Sequence, residues 1–176
     1  HKNIQFSSLR WRDIYRQAFN NINAEVRHFA RRYSFTAGTT LTSVVIKEWD
    51  AHIAHVGDSR LYHWHAKNLR QITTDHCDEV EAVDPSFSTD DGQDYPYRKR
   101  DVLTKAIGKN DLMEPDLLTI RLQPGDKLLL CTDGVTDEVG EKELARLVGS
   151  MRAEQLAGHL VQLANDRGGK DNASAI

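Results

Sequence analysis

Three short segments limit what this chain can fold into: His55-Val56-Gly57-Asp58-Ser59-Arg60, Cys131-Thr132-Asp133-Gly134-Val135-Thr136-Asp137 and Gly168-Gly169-Lys170-Asp171-Asn172. The first two follow apolar, β-like runs, and each sets an aspartate beside a glycine or a turn-forming polar residue, where the backbone can bend sharply. A carboxylate at the exit of a buried strand is costly to desolvate unless a cation or hydrogen-bond donors compensate it. Such carboxylates are suitable oxygen ligands for hard divalent cations. The segments lie far apart in sequence, so only a fold that returns distant strand ends to one edge can use them together. Taken alone, Asp58 and Asp133 each read more readily as a turn or cap residue, and Asp171 as a plain loop residue. The set of three, in this order, makes metal-assisted chemistry the leading expectation.

Little in the chain competes with it. The net charge of −3 over 176 residues leaves no basic field for nucleic acid. Cys77 and Cys131 are the only cysteines, which fits a reducing, cytoplasmic setting better than a disulfide framework. Runs such as Leu128-Leu129-Leu130-Cys131 are too short to span a bilayer, so no membrane partner is expected. The opening His1-Lys2-Asn3-Ile4-Gln5 lacks the apolar core of a signal peptide. The reading is a monomer with one domain over residues 1–176. Neither cysteine has an arginine six positions on, as a cysteine-phosphatase loop requires, because Asp137 and Val83 stand there. Gly168-Gly169-Lys170-Asp171 lacks the upstream glycine and following Ser/Thr of a Walker loop, and no G-x-S-x-G or H-E-x-x-H occurs. His63 and His65, two apart on an expected strand, share a face. They could chelate a transition metal with a third ligand, but a solvent-exposed strand face is the preferred reading. His76 suits a cap or a site neighbour, with no role fixed.

Apolar residues from Ser8 to about Tyr33 recur at helical spacing, with Ser7 or Ser8 as N-cap, and predict one long helix lying on a sheet. Thr40–Trp49, Ala51–Val56, Leu61–His65 and Leu69–Thr73 predict four strands in an antiparallel meander. Asp75–Asp94 is rich in acids, with no Lys or Arg, and reads as an irregular loop. Leu117–Leu122 and Lys127–Cys131 predict a hairpin across Pro124-Gly125. Helices are expected over Glu141–Val148 and Arg152–Asn165, and Ala173–Ile176 could begin a strand. Together these elements give an α+β layered architecture.

Seen as a series, several blocks carry a resemblance. Gly38-Thr39-Thr40, the Asp58 segment, Thr74-Asp75-His76, Leu103-Thr104-Lys105-Ala106-Ile107-Gly108, Leu122-Gln123-Pro124-Gly125-Asp126, the Asp133 segment and the Asp171 segment occur in the order seen in PPM-type (type 2C) metal-dependent serine/threonine phosphatases. The bacterial branch looks nearest, and the blocks run from residue 38 to 172. The resemblance implies a four-layer αββα sandwich of two antiparallel sheets flanked by helices, with Mg²⁺ or Mn²⁺ at one edge, two to three ions in the complete site. It implies hydrolysis of phosphoserine and phosphothreonine in a phosphorylated protein substrate by a metal-activated water, opposing a serine/threonine kinase.

Carried over by residue, Asp133 and Asp171 look like ligands of the second metal, and Asp58 like a ligand of a third. Residues 75–100 sit where the family has its flap. The family's arginine for substrate phosphate, its acidic N-E-D-type motif and its D-G-x-G-G motif are absent, so the sandwich is expected to be incomplete at the N-terminus and no catalytic residue is identified. A catalytically inactive pseudophosphatase acting as a regulatory or protein-binding module is the alternative.

Overall fold

The computed structural model describes residues 10–83 and 97–176, and for residues 81–83 and 97–101 the backbone only. Helix α1 runs Arg10–Arg32. Its buried face follows the four-residue repeat of Trp11, Tyr15, Phe19 and Asn23, with Ala30 further along. Ile14, Ile22 and Phe29, expected on the same stripe, are exposed at its margin. The proposed caps Ser7 and Ser8 lie outside the described residues.

Strands β1 (Leu41–Lys47) and β2 (Asp50–Val56) form a hairpin, and β2 pairs on its other side with β7 (Asp116–Arg121). In β2 the even positions Ala54 and Val56 pack with Trp11, Tyr15 and Phe19 of α1, while fully buried Ala51 and Ile53 point the other way. A second antiparallel sheet has the order β4 (Asn68–Gln71), β3 (Arg60–His65), β8 (Lys127–Cys131). Residues 174–176 extend it through Leu130 N–H to Ile176 O (3.0 Å) and Thr132 N–H to Ser174 O (3.1 Å), so the expected terminal strand pairs with β8. Tyr62, Leu129 and Cys131 of this sheet bury against α3 (Glu141–Ser150) and α4 (Ala153–Asp166) through Leu144, Val148, Leu156 and Leu160. The layers are therefore α1, sheet, sheet, α3–α4. This is the α+β sandwich expected.

Two expectations about connectivity fail for one reason. The four predicted strands are not a continuous meander, because β2 and β3 belong to different sheets and the chain crosses between them at residues 57–59. Likewise β7 and β8 are not a hairpin: the Pro124-Gly125 turn carries the chain from the first sheet to the second. Turn residues report that the chain reverses, and burial on both faces decides which strand each one joins. A third correction concerns the acidic stretch. Cys77–Val83 is strand β5, paired in full register with β6 (Tyr97–Leu103), and residues 84–94 of that stretch lie outside the described residues.

Candidate metal centre

Both inter-sheet crossings sit at ends of the β3–β8 ladder, whose register pairs Arg60 with Cys131 and Trp64 with Lys127. Asp58 enters β3 and Asp133 leaves β8 at the same end. Gly57 makes the first crossing possible. Its φ of +111° is open to glycine, and a Cβ there would collide with Thr40. The loop is clamped on two sides. Gly57 N–H donates to His76 Nδ1 (3.0 Å), and His76 N–H returns a bond to Gly57 O (2.8 Å). Thr40 Oγ1 and Ser59 Oγ are 2.8 Å apart. With Nδ1 accepting, His76 carries its proton on Nε2, which lies 3.2 Å from Asp116 Oδ2, and Lys105 Nζ donates to Asp116 Oδ1 (2.9 Å). Beside it, Arg60 grips Asp75 Oδ2 through Nε (2.8 Å) and Nη2 (2.7 Å).

At the β8 exit, Asp133 opens the one-turn helix α2 (Asp133–Thr136), and its Oδ1 accepts the Gly134 N–H (2.8 Å). The Asp171 segment is pressed against this turn. A Cβ on Gly134 would lie 2.6 Å from Asn172 O and 3.2 Å from Asp171 O, so glycine is required by close approach. Thr132 Oγ1 donates to Asn172 O (3.2 Å), and Ser174 N–H donates to Thr132 Oγ1 (3.0 Å). Upstream, Arg167 chelates Glu143 (2.8 and 2.9 Å) and donates to Glu138 O (2.8 Å), tying the end of α4 to the start of α3. Asp171 itself is exposed, with Oδ1 accepting the Asn172 N–H (2.6 Å).

The three aspartates thus gather at one edge, without all three offering carboxylate oxygens within 4.8 Å of one another. Burial, and then the negative charge of Asp133, push the Asp58 carboxyl above its ordinary range. A buried carboxyl disfavoured in this way beside a second aspartate suits a divalent cation, which would compensate its charge. The donor set is all oxygen and so fits Mg²⁺ or Mn²⁺ chemistry.

Other side chains near this edge fall into place. Of the supporting residues, Asp116 is not singled out by the sequence, His76 is read there as a cap or site neighbour, and Thr74-Asp75-His76 and Leu103–Gly108 stand out as blocks. Those blocks supply His76, Asp75 and Lys105. Cys131 is no nucleophile, because burial pushes its thiol up to about 12. Histidines 63 and 65 form only a partly exposed face. Both turn onto Asp126, with side-chain exposures of 14% and 44%. The cause is Asp126, which emerges from the second crossing beside them. Among the described residues no helix is long and apolar enough to cross a membrane.

Comparison with known proteins agrees with this architecture. The family model described as Protein phosphatase 2C matches residues 2–167. The serine/threonine phosphatase stp of Listeria monocytogenes is 34% identical over 141 residues, covering 79% of this chain and 55% of that protein. Protein phosphatase PhpP of Streptococcus pneumoniae is 34% identical over 137 residues, covering 77% and 55%. The chain spans about half the length of the curated relatives it matches. The solved structure of serine/threonine phosphatase Stp1 from Staphylococcus aureus superposes with a TM-score of 0.76 at 28% identity, over 99% of this chain and 69% of that one. From the match of the family model along nearly the whole chain, this chain belongs to the protein phosphatase 2C family.

Proposed function

We propose that the protein is a metal-dependent phosphatase of phosphoserine and phosphothreonine in proteins, and that Asp133, Asp171 and Asp58 hold its Mg²⁺ or Mn²⁺ ions. The observation that carries this reading is the convergence of the Asp133 and Asp171 segments through Gly134, beside an Asp58 whose carboxyl is disfavoured by burial and then by Asp133. When bound, divalent ions would neutralise the phosphoryl oxygens and supply a nucleophilic water at neutral pH. The chain's own residues prepare the edge. Gly57 and His76 fix the Asp58 loop, the Arg60–Asp75 pair braces the entry to β3, and the Thr132–Asn172 contact docks the Asp171 loop. In this reading the β5–β6 region within residues 75–100 serves as a flap over the edge, the protein acts as a monomer in the cytoplasm, and its substrates are targets of a serine/threonine kinase. The family membership favours turnover over a pseudophosphatase role.

The test is hydrolysis of p-nitrophenyl phosphate and a phosphothreonine peptide by the natural gene product with Mn²⁺. Activity should vanish with a chelator and in Asp133→Asn. Undiminished activity in Asp133→Asn, or hydrolysis that ignores chelation, contradicts the proposal.

A further inference from the structure

The far end of the β3–β8 ladder carries a second cluster that the proposed phosphatase reaction does not use. His63 and His65 point to one face of β3. The ladder pairs Trp64 with Lys127, so Asp126, one residue before β8, stands opposite His65 and on the same side of the sheet. The side chains meet: His63 Nε2 is 2.8 Å from Asp126 Oδ2, and His65 Nδ1 is 2.7 Å from Asp126 Oδ1. Gln123 N–H also donates to Asp126 Oδ2 (2.8 Å), which fixes the carboxylate within the turn. The ring planes are inclined by 29°, with centroids 5.7 Å apart. One nitrogen from each histidine and one carboxylate oxygen lie within 4.8 Å of one another, the only such trio of His, Cys, Asp or Glu among the described residues.

We propose that His63, His65 and Asp126 form a separate transition-metal site of zinc type. Two imidazoles and a carboxylate favour Zn²⁺, Co²⁺ or Ni²⁺ over Mg²⁺, and three protein ligands leave a fourth position open. Ligands about 2.0 Å from a tetrahedral zinc lie roughly 3.3 Å apart, which small ring rotations reach from the observed positions. Binding needs His63 to carry its proton on Nδ1 and His65 on Nε2, the tautomers opposite to those that donate to Asp126. The Gln123 N–H remains on the carboxylate as an outer support, as ligating carboxylates commonly require. A cavity of ≈ 360 Å³ that both histidines line gives room for the fourth ligand, and Arg70 and Arg121 on its wall favour an anion or an oriented water there. Asp126 is the most enclosed of the three, with a side chain 6% exposed, so the ion would enter from the histidine side.

Co²⁺ titration of the protein in excess Mg²⁺, read by visible absorption, tests this directly. The expected result is a tetrahedral d–d band that saturates at one equivalent and is displaced by Zn²⁺. In His65→Gln the Co²⁺ affinity should fall by about 100-fold or more, the upper range for losing a supporting residue of a metal site, while Asp133→Asn/Asp171→Asn should keep the band. His65 is partly exposed, so its variant should fold, and an unchanged circular dichroism spectrum checks that it does. His63→Gln is the second variant and should lose the band likewise. Absence of a band in the parent protein overturns the proposal. So does a band that survives both histidine variants, or one that disappears in the double aspartate variant.

Discussion

The two ends of one antiparallel ladder differ in what they can hold. At one end β3 begins and β8 finishes, and Asp58, Asp133 and Asp171 gather there with glycines and backbone carbonyls around them. At the other, about 17 Å away at ~3.3 Å per residue, β3 finishes and β8 begins, and two imidazoles close on Asp126. The first end offers carboxylate oxygens, is partly exposed, and in the proposed reading holds a hard cation. The second is already satisfied internally, a carboxylate held by three donors. Burial works against that carboxyl's ionisation, but the bonds from His65, Gln123 N–H and His63 outweigh it and draw its pKa down to about 2. A crossing between sheets brings polar residues to a strand end. The residue types there decide the ion.

Substitutions can separate the ends. The largest effect is expected from Asp133→Asn, which should cost at least about 100-fold in Mn²⁺-dependent hydrolysis, the upper range for outer-shell losses, and leave Co²⁺ binding at the histidine end intact. Loss of both would mean that the two ends are not independent. Gly134→Ala should come next. Its new methyl meets Asn172 O, a backbone atom, so the Asp171 loop must shift, at about 1–3 kcal/mol of stability for overpacking. Denaturant titration should show that loss, together with weaker Mn²⁺ binding and unchanged Co²⁺ binding.

A smaller, pH-dependent effect belongs to His55, beneath the acidic end. It is fully buried, with Nε2–H directed to Thr74 O (3.1 Å) and Nδ1 2.9 Å from Thr42 Oγ1. Burial first, and then the neighbouring His76, lower its pKa below the ordinary histidine value of about 6.5. The unfolded chain therefore takes up a proton that the folded state refuses. The resulting stability is present above about pH 6.5 and is lost as pH falls towards the folded-state pKa. Thermal melts from neutral to mildly acidic pH should show this decline, and His55→Asn should flatten it. The smallest change is expected from Arg167→Ala. Its ion pair with Glu143 is at the surface and partly exposed, so the melting temperature should fall only slightly, while Mn²⁺ affinity falls modestly as the Gly168–Asn172 loop loosens.

Much of the acidic end was legible in the sequence because its chemistry sits in contiguous blocks: Asp58 beside Gly57, Asp133 beside Gly134, Asp171 beside Gly169. Helices α1, α3 and α4 were legible from their periodicity. What the sequence concealed was pairing. The Pro124-Gly125 turn looks the same whether it joins partners within a sheet or carries the chain between sheets, and that choice depends on burial over residues far away. A third partner for the two histidines was concealed for the same reason. His63 and His65 read as an ordinary exposed strand face until the ladder register set Asp126 opposite them. Asp116 was hidden too, since its bond to His76 spans forty positions and depends on where β7 joins the first sheet.

Anomalous diffraction from crystals saturated with Mn²⁺ examines the acidic edge most directly. A manganese peak within coordination distance of the Asp133 and Asp171 carboxylates, with none at His63 and His65, is the predicted result. Manganese located elsewhere, with those two carboxylates left bare, would contradict the assignment of this edge as the metal centre.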